Sequence, residues 1–153
     1  MRNLDPIDRH ILENLQRDGR MTMTDLATRV GLSATPCTER VRRMEREEII
    51  SGYHAHINPH ALGLKLLVFV EIRLRSKSGD ALDKAKQKLQ LLPEIMECHM
   101  VSGDFDYLVK ARLAEMSDYR KLLSHILLQL PPASESSSYI VMEELKETLH
   151  LQL

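Results

Sequence analysis

The sequence predicts an α+β chain of two domains: an N-terminal helix-turn-helix joined to a C-terminal ferredoxin-like βαββαβ domain. Three observations predict it. Residues 31–47, GLSATPCTERVRRMERE, read as a helix stop, a short turn and a second helix carrying Arg40, Arg42, Arg43 and Arg46. Two stretches before it repeat apolar residues at helical spacing. Beyond a break at Asn58-Pro59-His60, period-two and helical patterns alternate in the order strand, helix, strand, strand, helix, strand. The 153 residues, 43% of them hydrophobic, suffice for two small cores.

The first helix is expected over Leu4 to Asp18, with Asp5 as cap, Pro6 in the first turn and Ile7, Ile11, Leu12 and Leu15 inward. Asp18-Gly19 ends it. Thr22 or Thr24 caps a second helix that turns Leu26, Ala27 and Val30 inward and stops at Gly31. The third helix starts at Ser33 to Pro36. At about 100° per residue, Val41 and Met44 fall on the side of Cys37 and form its buried stripe. Thr35, Glu39, Arg42 and Arg46 fall opposite, with Thr38 and Arg43 on the flanks.

Ile49 to Ile57 reads as a short strand or extended arm. This gives residues 1–52 as the helical domain, 53–63 as a linker and 64–153 as the sheet domain. Leu64 to Leu74 is the clearest strand, with Leu66, Val68, Val70, Ile72 and Leu74 on one face. Ser76 to Gly79 is expected to turn, with Asp80 capping a helix that turns Leu82, Ala85, Leu89 and Leu92 inward and that Pro93 stops. Ile95 to Val101 and Tyr107 to Arg112 form a hairpin around Ser102-Gly103-Asp104-Phe105-Asp106. Ser117 caps a helix with Tyr119, Leu122, Leu123, Ile126, Leu127 and Leu130 inward, ended by Pro131-Pro132. Ser138 to Glu144 is the last strand. Leu149, Leu151 and Leu153 alternate like a strand, or like a frayed end. Both helices would cover one sheet face, so Leu67 and Phe69 on the other call for a second copy.

Composition narrows the function. No apolar stretch is long enough to span a bilayer, and no basic-then-apolar leader opens the chain, so a cytoplasmic protein is expected. Cys37 and Cys98 lie far apart, as in a reduced compartment. The net charge is −1, and residues 1–52 are neutral, with nine arginines and nine acidic residues. Positive charge concentrates within 33–46, where four arginines face Glu39 and Glu45. Such a helix reads as a DNA major-groove reader of modest affinity per copy, which makes oligomerisation useful. Thr35, Thr38 and Arg42 would sit nearest the bases. Arg43 and Arg46 would hold phosphate, Arg40 would contact the backbone at the edge, and Ser33 belongs to the same set.

The Gly-Asp-x-Asp hairpin has two readings. Asp104 or Asp106 could take an ammonium, with backbone N–H groups near Gly103 taking a carboxylate; or the aspartates are ordinary turn chemistry. His54, His56 and His60 lack a Cys or carboxylate to complete a metal set. Cys98-His99 point to opposite strand faces, and no nucleophile, base and orienter group together, so no enzyme, cofactor or metal is expected.

The segments LDPIDRHILENLQRDGR, VGLSATPCTERVRRMERE, LLVFVEI, ECHMVSGDFDYLVKAR and SYIVMEELK together resemble the Lrp/AsnC, or feast/famine, family over essentially the whole chain. The resemblance implies a winged variant of the helix-turn-helix, a RAM/ACT-like sheet domain, and a nucleoid-associated transcription regulator. It implies binding to double-stranded DNA by homodimers that assemble further, commonly to octamers. It also implies an amino-acid effector, leucine or another apolar one, at Gly103, Asp104, Asp106, Met116, Tyr139, Ile140 and Val141. An amino-acid-binding oligomer without DNA binding is the alternative. Two positions depart from the family pattern: Ala34 stands where Pro is common, and Glu48 where Gly is. A left-handed Glu48 would cost about 1 kcal/mol.

Overall fold

The computed structural model describes residues 4–75, 78–130 and 134–153. They form two units. One is the chain up to His56 together with Lys146–Leu153, and the other is Ile57–Leu145.

In the first unit, α1 spans Pro6–Arg17, α2 Met23–Val30 and α3 Ala34–Arg46. Asp5 and Asp8 make a reciprocal capping box: Asp5 accepts the Asp8 N–H at 2.8 Å and Asp8 accepts the Asp5 N–H at 3.3 Å. Thr22 caps α2. Gly31, at φ +70°, closes it as Leu32 N–H reaches back to the Ala27 carbonyl. Ser33 stands at the start of α3 without a side-chain cap bond. Ile11, Leu12, Leu15, Leu26, Ala27, Val30, Cys37, Val41 and Met44 form one core. At about 1.5–3 kcal/mol for each large side chain, that burial outweighs every local signal.

Glu48 adopts the left-handed conformation, φ +55°. It ends α3 as glycine ends α2: Ile49 N–H bonds the Met44 carbonyl and Glu48 N–H the Glu45 carbonyl. The arm that follows forms no strand, and residues 51–58 are exposed.

A second tie joins α1 to α3. Asp8 is 1% exposed and its carboxylate receives Arg40 at 2.8 Å and Arg43 at 2.5 Å. Arg40 also reaches Asp5 at 2.6 Å. The Asp8 N–H and the Arg40 guanidinium hold the Asp5 carboxyl below its ordinary value. The tail, expected in the sheet domain, packs instead in this unit. The Gln16 side-chain amide donates to the Leu151 carbonyl at 3.1 Å and accepts the Leu151 N–H at 2.7 Å.

In the second unit, β1 (Leu66–Arg73), α4 (Gly79–Leu89), β2 (Ile95–Met100), β3 (Tyr107–Leu113), α5 (Met116–Gln129) and β4 (Glu135–Ile140) follow in the expected order. The strands lie in the order β2-β3-β1-β4 with antiparallel neighbours. Val68, Val70, Ile72 and Leu74 pack with Ala85 and Leu89 of α4 and with Leu122 and Ile126 of α5, so both helices cover one face.

Several details differ from the sequence reading. Ser78, not Asp80, caps α4, by accepting the Ala81 N–H. Glu115, not Ser117, precedes α5. Leu127 is exposed, one step beyond the stripe set by Leu122 and Ile126. β4 begins at Glu135 and ends at Ile140, because backbone pairing to Arg73 and Ile72 recruits the serines, whose side chains carry no strand pattern. Ser76 and Lys77 of the expected turn, and Pro131-Pro132, lie outside the described residues.

Two outcomes follow from the head. Glu48→Gly should stabilise it by about 0.5–1 kcal/mol, by relieving the left-handed strain at a solvent-facing position. Denaturant unfolding followed by helical circular dichroism checks this, and a lower midpoint contradicts it. Because the folded Asp5 carboxyl titrates below its unfolded value of 3.8, its contribution is present above that pH and lost as pH falls through the folded value. Between pH 5 and 3, Asp5→Asn should therefore lose less stability than the parent.

Candidate functional site

One face of α3 is sealed and the other is open. Cys37, Val41 and Met44 are buried, and burial pushes the Cys37 thiol up, so it behaves as a small core residue. On the far side Thr35, Glu39, Arg42 and Arg46 are exposed. Thr38 is half-buried and donates its hydroxyl to the Ala34 carbonyl at 2.8 Å, keeping only acceptor capacity for a ligand. Ser33 is exposed at the helix start. The four arginines do not form one stripe: Arg42 and Arg46 point outward, whereas Arg40 and Arg43 turn toward Asp8. An exposed helix with hydroxyls and guanidiniums on a rigid floor has the shape and charge for a DNA major groove.

The expected effector residues occupy two places. Gly103, at φ +136°, and Asp104 are exposed in the hairpin loop. Asp106 is 6% exposed and has work in the fold: its carboxylate accepts the Leu74 N–H at 2.7 Å and its own N–H donates to the Ile72 carbonyl at 2.8 Å. It braces the hairpin against β1, a role that spacing did not reveal. At the other end of β1, Ile140 lies opposite Val68 and Tyr139 opposite Phe69. The Val141 N–H donates to Leu67, and Met116 opens α5 shortly after Leu113, which faces Leu66.

The register separates these groups. Tyr107, next to the loop, pairs with Ile72, four residues along β1 from the Val68 that pairs with Ile140, or about 13 Å at strand rise. One chain does not bring the seven residues together. Beside the loop it offers a cleft of about 200 Å³ lined by Glu71, Arg73, Phe105, Glu135, Ser136 and Ser137. Tyr139 donates to Glu71 at 3.2 Å, and that carboxylate pushes the phenol up.

Other residues matter that spacing did not single out. Arg112 is 7% exposed and makes a two-pronged pair with Glu144, and His60 lies 3.6 Å from the same carboxylate. That pair holds the chain beyond β4 against the sheet face that carries Leu67. Its local sign was weak, since Lys110 and Arg112 both alternate with the apolar Val109, Ala111 and Leu113. His54 and His56 are exposed, and no group of metal-ligating side chains occurs among the described residues.

Comparison with known proteins matches two stretches of the chain. A family described as winged helix-turn-helix DNA-binding matches residues 4–51, and one described as the Lrp/AsnC ligand binding domain matches residues 67–151. The chain is 53% identical over 150 residues to the leucine-responsive regulatory protein of Escherichia coli K12, covering 98% of this chain and 92% of that protein. A crystal structure of an AsnC family transcriptional regulator from Agrobacterium tumefaciens superposes with a TM-score of 0.92 at 34% identity, over 97% of this chain and 96% of that one. A feast or famine regulatory protein from M. tuberculosis complexed with L-methionine superposes with a TM-score of 0.88 at 33% identity, over 97% and 99% of the two chains. With both halves matched and the arrangement of elements shared throughout, the chain belongs to the Lrp/AsnC family of transcriptional regulators.

Proposed function

We propose that the protein is a cytoplasmic transcription regulator that reads a pseudo-palindromic DNA site with paired copies of α3 and responds to an apolar amino acid. The observation that carries the DNA reading is the open face of α3, where Thr35, Arg42 and Arg46 project from a helix whose other face is locked in the core. Arg42 reads a base edge and Arg46 grips phosphate. Thr35 and Thr38 sit near the bases, and Ser33 lies at the helix start. The neutral charge of residues 1–52 keeps single-copy affinity low, so a dimer or a higher assembly such as an octamer supplies avidity.

For the effector, leucine and methionine are the first choices. Relatives include leucine-responsive regulators and a protein complexed with L-methionine. The ammonium goes to Asp104, since Asp106 is engaged with Leu74, and the carboxylate goes to N–H groups around Gly103. Met116, Ile140 and Val141 offer a pliable apolar wall. Because the two groups lie at opposite ends of β1, the complete site takes the loop of one copy and the Met116, Tyr139, Ile140 and Val141 group of another. Apolar side chains left exposed on this unit, among them Met96, Met100, Tyr139 and Met142, fit such copy-to-copy contact.

Gel shifts against the region upstream of the protein's own gene, across a salt series, test the DNA reading. Arg46→Ala should weaken all duplexes and lower the salt slope by about 0.9, while Arg42→Ala should relax preference at one base position. No shift at low salt would leave the chain an amino-acid-binding assembly without DNA binding. Light scattering with leucine or methionine should show a change in assembly that Asp104→Asn abolishes; unchanged scattering together with no measurable binding contradicts the effector reading.

A further inference from the structure

The arginines of α3 divide into pairs with different tasks. We infer that Asp8 is the positioning residue of the DNA head, with Arg40 and Arg43 as its internal struts, so that contact with the duplex from the α3 arginines falls to Arg42 at a base edge and Arg46 on phosphate. This rests on the DNA reading above and departs from the expectation that all four arginines face the duplex.

Burial comes first. Asp8 belongs to the inward face of α1 with Ile11, Leu12 and Leu15, and is as inaccessible as they are. A carboxylate there is costly unless both oxygens are paired, and both are. Oδ1 receives Arg40, and Oδ2 receives Arg43 and the Asp5 N–H. Arg40 closes the ring onto Asp5. The Arg43 Nε is buried and its NH2 group donates to Asp8, so the guanidinium is turned inward although the side chain as a whole stays partly exposed.

Geometry comes second. Arg40 and Arg43 stand three residues apart on one side of α3, and Arg42 and Arg46 stand four apart on another. Measured from the buried Cys37, the first pair lies at about 240–300° and the second at about 140–180°. The first pair fixes the rotation of α3 about its own axis relative to the start of α1, and with it the direction in which Thr35, Arg42 and Arg46 point. The two aspartates and two arginines also cancel in charge, so the network adds no attraction to DNA. If Arg43 left for phosphate, the buried Asp8 would keep Arg40 on Oδ1 but only the Asp5 N–H on Oδ2.

The test compares full-length variants on two duplexes, one selected from a random pool by the parent protein and one unrelated, across a salt series. Arg46→Ala should lower the salt slope on both by about 0.9. Arg43→Ala should leave the slope unchanged but cut the ratio of selected to unrelated affinity by about tenfold, because the reading face is no longer aimed. Arg43→Lys, which keeps a cation on Asp8, should recover most of that ratio. Asp8→Asn should release Arg43, while Asp5 keeps Arg40, tightening binding to the unrelated duplex and steepening the slope while the ratio falls.

Arg43→Ala lowering the slope as Arg46→Ala does, with Asp8→Asn leaving the ratio intact, overturns the assignment while the DNA reading stands. If Arg46→Ala has no effect on either duplex, the DNA reading fails first and takes the assignment with it. Should Arg43→Ala prevent folding, seen as loss of the helical melt, Arg43→Lys and Asp8→Asn carry the same comparison.

Discussion

The sheet unit depends on β1 being paired on both edges and packed on one face. β3 lies along one edge and β4 along the other, while Val68, Val70 and Ile72 face the helices. Slipping β1 by one residue would turn this apolar row outward, so its register is strongly specified. Everything functional in this unit inherits that register. The Gly103–Asp106 loop is held at one end of β1 by Asp106, and Tyr139 to Val141 at the other by ladder bonds. The distance between the two residue groups of the proposed effector site is therefore built into the strand, and in that proposal assembly becomes part of ligand chemistry.

The head obeys a different constraint. Its core is small, and apolar contact is non-directional, which leaves three short helices some freedom of rotation. A buried carboxylate removes that freedom, because Asp8 tolerates only the arrangement in which Arg40 and Arg43 reach it. In the DNA reading proposed above, direction matters more than stability: a modest rotation would turn Arg42 away from the base edge that it is proposed to read. The left-handed Glu48 and its back-bonds then end the helix at a fixed place before the exposed arm.

What the sequence revealed follows from the range of the interactions involved. Local devices were legible: the Asp5 and Thr22 caps, the Gly31 stop, the stripe of Cys37, Val41 and Met44, and the possibility of a left-handed Glu48. So was the strand and helix order, which rests on period. Contacts across many residues were not. Arg40 and Arg43 reach back more than thirty positions to Asp8. The only local sign was Asp8, a carboxylate on the apolar face of α1, which helical spacing did not single out. Asp106 carries the same lesson, since its spacing suits a ligand while its hydrogen bonds tie it to the fold. β4 was misplaced because backbone pairing defines an edge strand of serines, and the tail because Gln16 mimics a strand partner for Leu151.

The shared effector site is the central claim, and subunit mixing tests it most directly. A chain carrying Asp104→Ala and a chain carrying Tyr139→Ala are each expected to lose leucine or methionine binding in calorimetry. After the two are unfolded together and refolded as mixed assemblies, binding should return in a fraction of sites, since some combine an intact loop from one copy with an intact β4 from another. Loss in each variant with no recovery on mixing would show that one chain supplies both halves, contradicting the account.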